Sequence, residues 1–570
     1  MGSVEVWRTA GIIARKYGVT ALLKVVVGAE RTTNKSIVEL ALPRSLFFSG
    51  DESRPGVKRM FIEAIREVAT EFNQTNTVAN LTADIIEIFK GLSKVTDKPV
   101  SSGTCRVRKL KHMDYSIRTF VTAVFNGDIS PYTTVIVRNS DAVLGGLVRL
   151  THNLDGQHLL NYLGFRLLVR LAVLLPEHLV NMRRLFSIEF TGRVVREDLK
   201  WLLCMRLVEA VVPPCLERVQ ANMFKENRTL TLARRFWLLQ MEEFFSRNLR
   251  HLAWISEKTL SLMEKKLTYY KFVHVSFETA SKNGPACKSL RNLLASRRRL
   301  KKSQLVPAIL ATWETYQEMY LKQTAGGILQ RDQGFLSESN PRLVQSQQEV
   351  HVPPGLVNAS VPENSTMLAF HLSRVATRLF HALVPLVSVE DGQCSGPSAM
   401  TQQSQRSLAR LRNCLAKDVQ SLPSQLQPRA PDVLWDDDGQ EGEEAGFAIL
   451  AQTAALGLAF AAFKEMVRVD RIWRLDFRFI SLASISAEQL FFLYYALDNC
   501  ERSDRTHRAH EYSSWRRLPA EQRVNLPLRQ MAHFAEAFGC APGKSAMAPA
   551  DRCGVLRWPA PRPDIRDDNL

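Results

Sequence analysis

A mainly α-helical chain with a minor β component is the fold class this sequence predicts, on three observations. Apolar residues recur at spacings of three and four through 56–96, 155–181, 195–225, 229–264 and 304–323, the period of helices with one buried face. Strand-like runs are few and short. A composition of 45% hydrophobic and 23% charged residues is that of a globular protein, not a disordered one. At 570 residues the chain is long enough for two or more domains, each with a sizeable core. No repeat with a period of about 20–50 residues stands out.

In chain order, the strand-like runs at 22–27 and 37–42 precede the first helical stretch, and a third lies at 133–137. Between about 324 and 366 the helical pattern stops. Gly326-Gly327, Asn340-Pro341, a Gln-rich run and Val352-Pro353-Pro354-Gly355 mark a boundary there. The polar, Pro- and Asp-rich segment 421–444 reads as an exposed loop, and 559–570 as a tail. From Ala445 to Phe463, nineteen residues pass without a charge. Their length suits a membrane span, but the excess of Ala, with Gln452 and Thr453 near the centre, weakens insertion. A buried core helix is the competing reading.

The net charge of +18, from 75 Lys and Arg against 57 Asp and Glu, favours acidic partners: nucleic acid, anionic membrane, glycosaminoglycan or acidic peptides. The densest run, Arg297-Arg298-Arg299-Leu300-Lys301-Lys302, reads as a nucleic-acid patch or as the solvated end of a helix. Nine cysteines contain no C-x-x-C, so zinc ribbons and thioredoxin-like chemistry have no support. Sequons stand at Asn34, Asn73, Asn80, Asn227, Asn358 and Asn364, which is weak evidence for the secretory pathway. The first residues carry no signal-peptide apolar region, no anchor and no myristoylation pattern.

The five residues Thr377-Arg378-Leu379-Phe380-His381 fill the slot of a zinc-protease H-E-x-x-H helix, in which two imidazoles one turn apart face the metal. Alone, the stretch is an apolar helix with one His. His371, ten residues earlier, would lie about 15 Å away along a continuous helix, too far to share an ion with His381. His507 and His510 form H-x-x-H in a polar stretch without supporting ligands. No G-x-S-x-G or phosphate-binding glycine loop occurs.

Residues around this helix resemble the neprilysin family of zinc metalloendopeptidases. Ser486-Ala487-Glu488-Gln489-Leu490-Phe491-Phe492-Leu493-Tyr494-Tyr495-Ala496, followed by Cys500, is similar to its "EQLFF…YA…C" segment. His533–Cys540 resembles "F-x-x-x-F-x-C", and Met547–Cys553 resembles "M-N-P-x-x-x-C" apart from Ala548. Val352–Leu356 resembles the "V-P-A-G-I-L" strand, and Leu202-Leu203-Cys204 through Val211-Val212-Pro213 to Phe224 the helix closing the family's first lobe. The resemblance implies a two-lobed fold with a thermolysin-related C-terminal lobe. It divides the chain into a partial N-terminal helical lobe (1–323), a linker and edge strand (324–366), a degenerate metallopeptidase-like domain (367–558) and the tail. It also implies that the cytoplasmic segment, membrane anchor and first cysteines lie upstream of residue 1.

By the same resemblance the first zinc histidine falls on Thr377, the catalytic Glu on Arg378 and the second histidine on His381. The third ligand falls on Ala448 and its supporting Asp on Gln452. The transition-state histidine falls on Arg517, while the substrate-contacting arginine remains as Arg523. Cys414 would pair with Cys553, and Cys204, Cys500 and Cys540 with upstream cysteines. The match also makes 445–463 a buried helix.

Catalytic zinc needs three protein ligands and an open position. Here one candidate ligand survives, and Arg378 cannot deprotonate to act as a base. The expectation is therefore a catalytically inactive homologue with no cofactor, in a family that uses zinc, binding peptides or proteins of acidic character through Arg378, Arg517 and Arg523. Its expected place is an extracellular or plasma-membrane ectodomain, reaching the membrane only through the missing anchor. The alternatives are an active zinc metalloendopeptidase and a basic nucleic-acid-binding protein.

Overall fold

The computed structural model describes residues 3–29, 36–42, 55–73, 78–96, 106–137, 141–191, 200–211, 228–274, 302–321, 340–344, 349–353, 356, 368–388, 400–420, 440–469, 478, 480–500 and 520–557. Among them the architecture is mainly helical, with two small sheets and two large apolar cores.

The first core is built around α1 (Ser3–Tyr17), a helix outside the segments that periodicity singled out. It crosses α4 (Tyr115–Val124) closely because position 11 is glycine: a Cβ there would sit 2.5 Å from the Phe120 carbonyl oxygen. Trp7 meets Phe120 edge-on at 6.1 Å, and its Nε1 donates to Thr151 Oγ1 at 3.1 Å, so a buried indole has its hydrogen bond. The periodic stretch 56–96 is two helices, α2 (Pro55–Glu71) and α3 (Val78–Thr96). The break falls at Asn73, whose φ of 54° is left-handed and does not continue a helix. Phe61, Phe89, Tyr162 and Phe165 then pack edge to face at 4.8–6.4 Å.

A four-stranded sheet lies against these helices in the order β1 (Lys24–Ala29), β2 (Ser36–Ala41), β4 (Thr134–Val137), β3 (Arg106–Lys109). The β2–β4 pair is parallel and the other two antiparallel. Three of the strands match the sequence reading to within two residues. β3 does not, because its R-V-R-K sequence has little apolar signal and it occupies an edge, where one side of the ladder faces outward.

The second core gathers residues from both sides of the expected lobe boundary. Two helices, Arg228–Asn248 and Glu257–Leu267, lie inside the segment assigned to the first lobe, yet Trp237, Phe244, Phe245, Trp254 and Tyr270 all belong to the C-terminal core. Trp254 Nε1 donates to the Val387 carbonyl at 2.8 Å and Lys266 Nζ to the Leu386 carbonyl at 2.9 Å. The chain then returns: Tyr320 and Leu321 of the helix Lys302–Leu321 pack in the first core, and Tyr320 OH accepts from Val27 N at 3.1 Å. A single boundary at 323 is therefore replaced by two crossings. The strand Glu349–Val352, expected at an edge, is the middle of three, between Lys271–His274 (parallel) and Arg342–Val344 (antiparallel).

At the centre of this core lies the helix Gln440–Val469. Its stretch Gly446–Met466 has a mean hydropathy of 1.8, and 83% of it is buried within the protein, so the uncharged run is a core helix. Small residues let neighbours approach: a Cβ on Gly446 would sit 2.6 Å from the Arg412 carbonyl oxygen of the helix Gln402–Gln420.

Two helix N-termini interlock in the same core. Ser256 caps Glu257–Leu267 through Thr259 N, and Thr401 Oγ1 accepts from Ser404 N at 3.4 Å. Each third residue then serves the other helix. Ser256 N donates to Ser404 Oγ (3.0 Å) and Thr401 N to Thr259 Oγ1 (3.1 Å). The four hydroxyls lie 2.8–3.3 Å apart. This is a capping box exchanged between two helices. Ser404→Ala and Thr259→Ala are each expected to cost about 1–2 kcal/mol, and the double substitution less than their sum, measured by chemical denaturation.

Candidate functional site

The helix carrying the zinc-like slot begins as Leu368–His371, passes through a π turn at Leu372–Ala376, and continues as Thr377–Ser388. Its inner face of Leu372, Val375, Ala376, Leu379, Phe380, Leu383 and Val384 is buried, which fixes its rotation. Phe380 stacks on Phe244 at 6.0 Å and lies tilted against Phe245 at 5.7 Å. Thr377 and His381, one turn apart, therefore share a helix face. This helix packs along Gln440–Val469, which carries Ala448 and Gln452.

Each site position is then a question of chemistry. Thr377 is buried, and its Oγ1 has no hydrogen-bond partner among the described residues. His381 is not fully covered by area, but the protein packed about its ring pushes its pKa down to about 4, so the imidazole is neutral at physiological pH. Ala448 is buried and offers no donor atom. Gln452 Nε2 donates to Tyr495 OH at 3.0 Å, and Tyr495 OH donates to the Arg523 carbonyl at 2.9 Å. Burial pushes the Tyr495 phenol far up, keeping it protonated for that bond. Gln452 thus ties three helices together, including Ala520–Arg529, which carries Arg523.

Arg378 is not an open positive charge. Its Nε and Nη2 each lie 2.7 Å from Asp498 Oδ2, at the end of the helix Ala487–Asp498. Arg374 Nε lies 2.9 Å from the other oxygen, Oδ1. The exposures of Arg378 (19%) and Asp498 (12%) are low and that of Arg374 (37%) is higher. Beside them Phe370 stands edge-on to Tyr494 at 5.1 Å and under the Arg374 guanidinium at 5.6 Å. Of the three arginines expected to bind acidic partners, Arg378 is paired: it and Arg374 share one carboxylate, leaving one net positive charge. Asp498 was not legible as a site residue, because nothing local relates it to a helix 120 residues away. The spacing of Arg374 and Arg378 was legible as one helix face.

Zinc does not fit the donors at Thr377, His381 and Ala448. They offer one hydroxyl, one neutral imidazole and no donor from alanine, where three ligands are needed, and the neighbouring Arg378 guanidinium is paired and cannot act as a base. Among the described residues no group of three or more His, Cys, Asp or Glu is placed to share an ion. Arg517, Pro519, His507, His510 and most of the basic run 297–302 lie outside the described residues. So do Asn34, Asn227, Asn358 and Asn364, while Asn73 and Asn80 are exposed. Cys414 and Cys553 form a disulfide. Cys204 and Cys500 are exposed, and Cys540 is half-buried.

Two family models, both described as peptidase family M13, match residues 3–274 and 442–555. Neprilysin-1 of Trittame loki is 35% identical over 112 residues, which is 19% of this chain and 15% of that protein, so the match spans a small part of the relative's length. Among solved structures, the zinc metalloprotease Zmp1 of Mycobacterium tuberculosis in complex with inhibitor superposes with a TM-score of 0.67 at 14% identity, covering 96% of this chain and 82% of that one. The Haemonchus galactose containing glycoprotein complex gives 0.65 at 13% identity (97% and 83%). PepO from Lactobacillus rhamnosis HN001 gives 0.62 at 13% (96% and 83%). At these identities the structures establish the shared fold.

Two outcomes follow from the geometry. Removing one partner of a largely buried pair is costly, whereas replacing both with apolar groups is much less so. Asp498→Leu alone is expected to destabilise by about 2–4 kcal/mol, and Arg378→Met/Asp498→Leu by less than Asp498→Leu alone. A double-variant cost equal to the sum of the Arg378→Met and Asp498→Leu costs in denaturant titrations would show that the pair is uncoupled. For His381, the folded pKa of about 4 lies below the unfolded value of about 6.5. As pH falls through that window the unfolded chain takes up a proton that the folded one refuses. Stability therefore decreases on acidification, by at most about 1.4 kcal/mol per pH unit. His381→Gln is expected to flatten this part of the stability–pH curve relative to wild type.

Proposed function

This chain belongs to peptidase family M13, and from that premise we propose that it is a member without hydrolytic activity whose former active-site cleft binds peptides. The observation that carries the reading is the Arg378–Asp498 pair. Peptide hydrolysis by a zincin needs a base able to take a proton from water at the metal. Arg378 occupies that base's position, cannot release its own proton, and is held in place by a carboxylate. Ala448 removes the third ligand independently of Arg378. Loss of groups that act as a unit leaves little to recover from any one of them.

What speaks for peptide binding is the surplus of charge and the preserved scaffold. Arg374, the more exposed of the two arginines on Asp498, can share a further carboxylate, and arginine suits that ligand through paired hydrogen bonds. Arg523 stays on its helix behind the Gln452–Tyr495 link. An extracellular setting is part of the same proposal. Its support is the Cys414–Cys553 disulfide, a bond that persists in oxidising compartments.

Two measurements test this. Metal analysis after dialysis against zinc, with peptide hydrolysis assayed alongside, is expected to give no stoichiometric zinc and no cleavage; one equivalent with turnover would establish the protease reading instead. Calorimetric titration with acidic and neutral peptides is expected to favour the acidic ones. Affinity should fall by roughly tenfold, the scale of one lost charge-assisted pair, in Arg374→Ala and in Arg517→Ala/Arg523→Ala. Unchanged affinity in these variants would remove the cleft from the proposal.

A further inference from the structure

Far along the chain from the zinc-like helix, one surface of the first lobe concentrates cations. The edge strand β3 and the 3-10 turn after it, Leu110–His112, contribute Arg106, Arg108, Lys109, Lys111 and His112, and α4 adds Arg118. Arg106, Lys109, Lys111 and His112 are exposed, while Arg108 and Arg118 are half-buried. The one acid between 106 and 118 is Asp114, whose carboxylate is used as the N-cap of α4, accepting from Ser116 N at 2.8 Å. Among the described residues no carboxylate pairs with Lys109, Lys111 or Arg118. Like charges repel one another, so Lys109, Lys111 and Arg118 carry an electrostatic cost that an anionic ligand would relieve.

The cations are also held in position. Leu110 is buried, its N–H donates to the Thr133 carbonyl at 3.0 Å, and Lys111 N donates to the Pro131 carbonyl at 2.9 Å. Lys109 Nζ donates to Thr134 Oγ1 at 2.9 Å. Two tyrosines at the surface, Tyr132 (66% exposed) and Tyr115 (60%), lie under Lys111 Nζ at 4.4 Å and the Arg118 guanidinium at 5.5 Å. Exposed aromatic rings of this kind hold cations over their faces. The register places Arg106 and Arg108 on the sheet face of Val137 and Val135, and Lys109 on the face of Thr134, so the charge wraps around the sheet edge.

We propose that this edge is a binding surface for a sulfated glycosaminoglycan. A run of basic residues broken by a buried apolar one, Val107-Arg108-Lys109-Leu110-Lys111-His112, suits a linear polyanion of the heparin type. Single-stranded nucleic acid is the competing polyanion. It binds by stacking bases on aromatic faces within a charged groove. Here the tyrosine faces carry the site's own cations, and the surface is an edge, not a groove.

The test compares Lys109→Ala/Lys111→Ala with Lys258→Ala/Lys265→Ala, a pair of exposed lysines on another helix that removes the same charge. The probes are a size-defined heparin oligosaccharide, its desulfated form and a single-stranded oligonucleotide, each titrated at several salt concentrations on the full chain. Wild type is expected to bind heparin with an affinity that falls linearly in log–log with salt. The first pair should weaken it by about tenfold and the control by less than about twofold. Lys109→Gln/Lys111→Gln repeats the measurement with side-chain length kept, and circular dichroism checks that each variant is folded. Equal weakening by both pairs, retention of binding by desulfated heparin, tighter binding of the oligonucleotide, or no heparin binding would each overturn the proposal.

Discussion

The helix Gln440–Val469 is enclosed by other helices along most of its length, and its neighbours are placed by what its surface allows. Ala454, Ala455, Leu456, Ala459 and Ala462 have almost no accessible area, and Gly446 lies against the backbone of the helix Gln402–Gln420. A helix lined with small residues lets others approach closely and lock by shape. The zinc-like helix, the helix with Arg523 and the disulfide-bearing helix all pack against it. Ala448 therefore leaves no unsatisfied group there, because alanine suits the apolar interface.

The polar side of the same site obeys a stricter rule. A guanidinium near a core needs a partner, and Asp498 provides one to Arg378 and Arg374 together. Gln452 keeps a hydrogen bond through Tyr495. Among the described residues the buried Thr377 and Thr453 hydroxyls have no hydrogen-bond partner. A similar pattern anchors the C-terminal segment. Asp418, one turn after Cys414, accepts from Arg529 Nε at 3.1 Å and from Gln530 Nε2 at 2.9 Å, and Gln530 Oε1 accepts from Cys553 N at 2.9 Å. The covalent bond and the ion pair hold the same two segments.

The two cores are coupled by chain crossings. Residues 228–274 leave the first lobe to complete the second core, and 302–321 comes back to seal the first through Tyr320. Folding of the two lobes is linked by this route, since neither core is made from one continuous stretch. The interlocked caps at Ser256 and Thr401 close a loop of 145 residues within the second core, where two positive helix ends would otherwise face each other with unsatisfied N–H groups.

By itself the sequence determined the helical class, the long periodic helices, three of the strands and the family. These follow from periodicity and from short motifs, both of which are local along the chain. It did not determine the breaks at Asn73 and at 249–256, since one periodic face passes through both. The edge strand Arg106–Lys109 was hidden because a strand whose outer side is charged has no apolar alternation. Which lobe owns 228–274, and that Glu349–Val352 is a central strand, depend on pairings across many residues. The tertiary structure alone decided the state of Arg378. Its charge is written in the sequence, but whether that charge is open to a ligand or spent on Asp498 depends on two helices meeting.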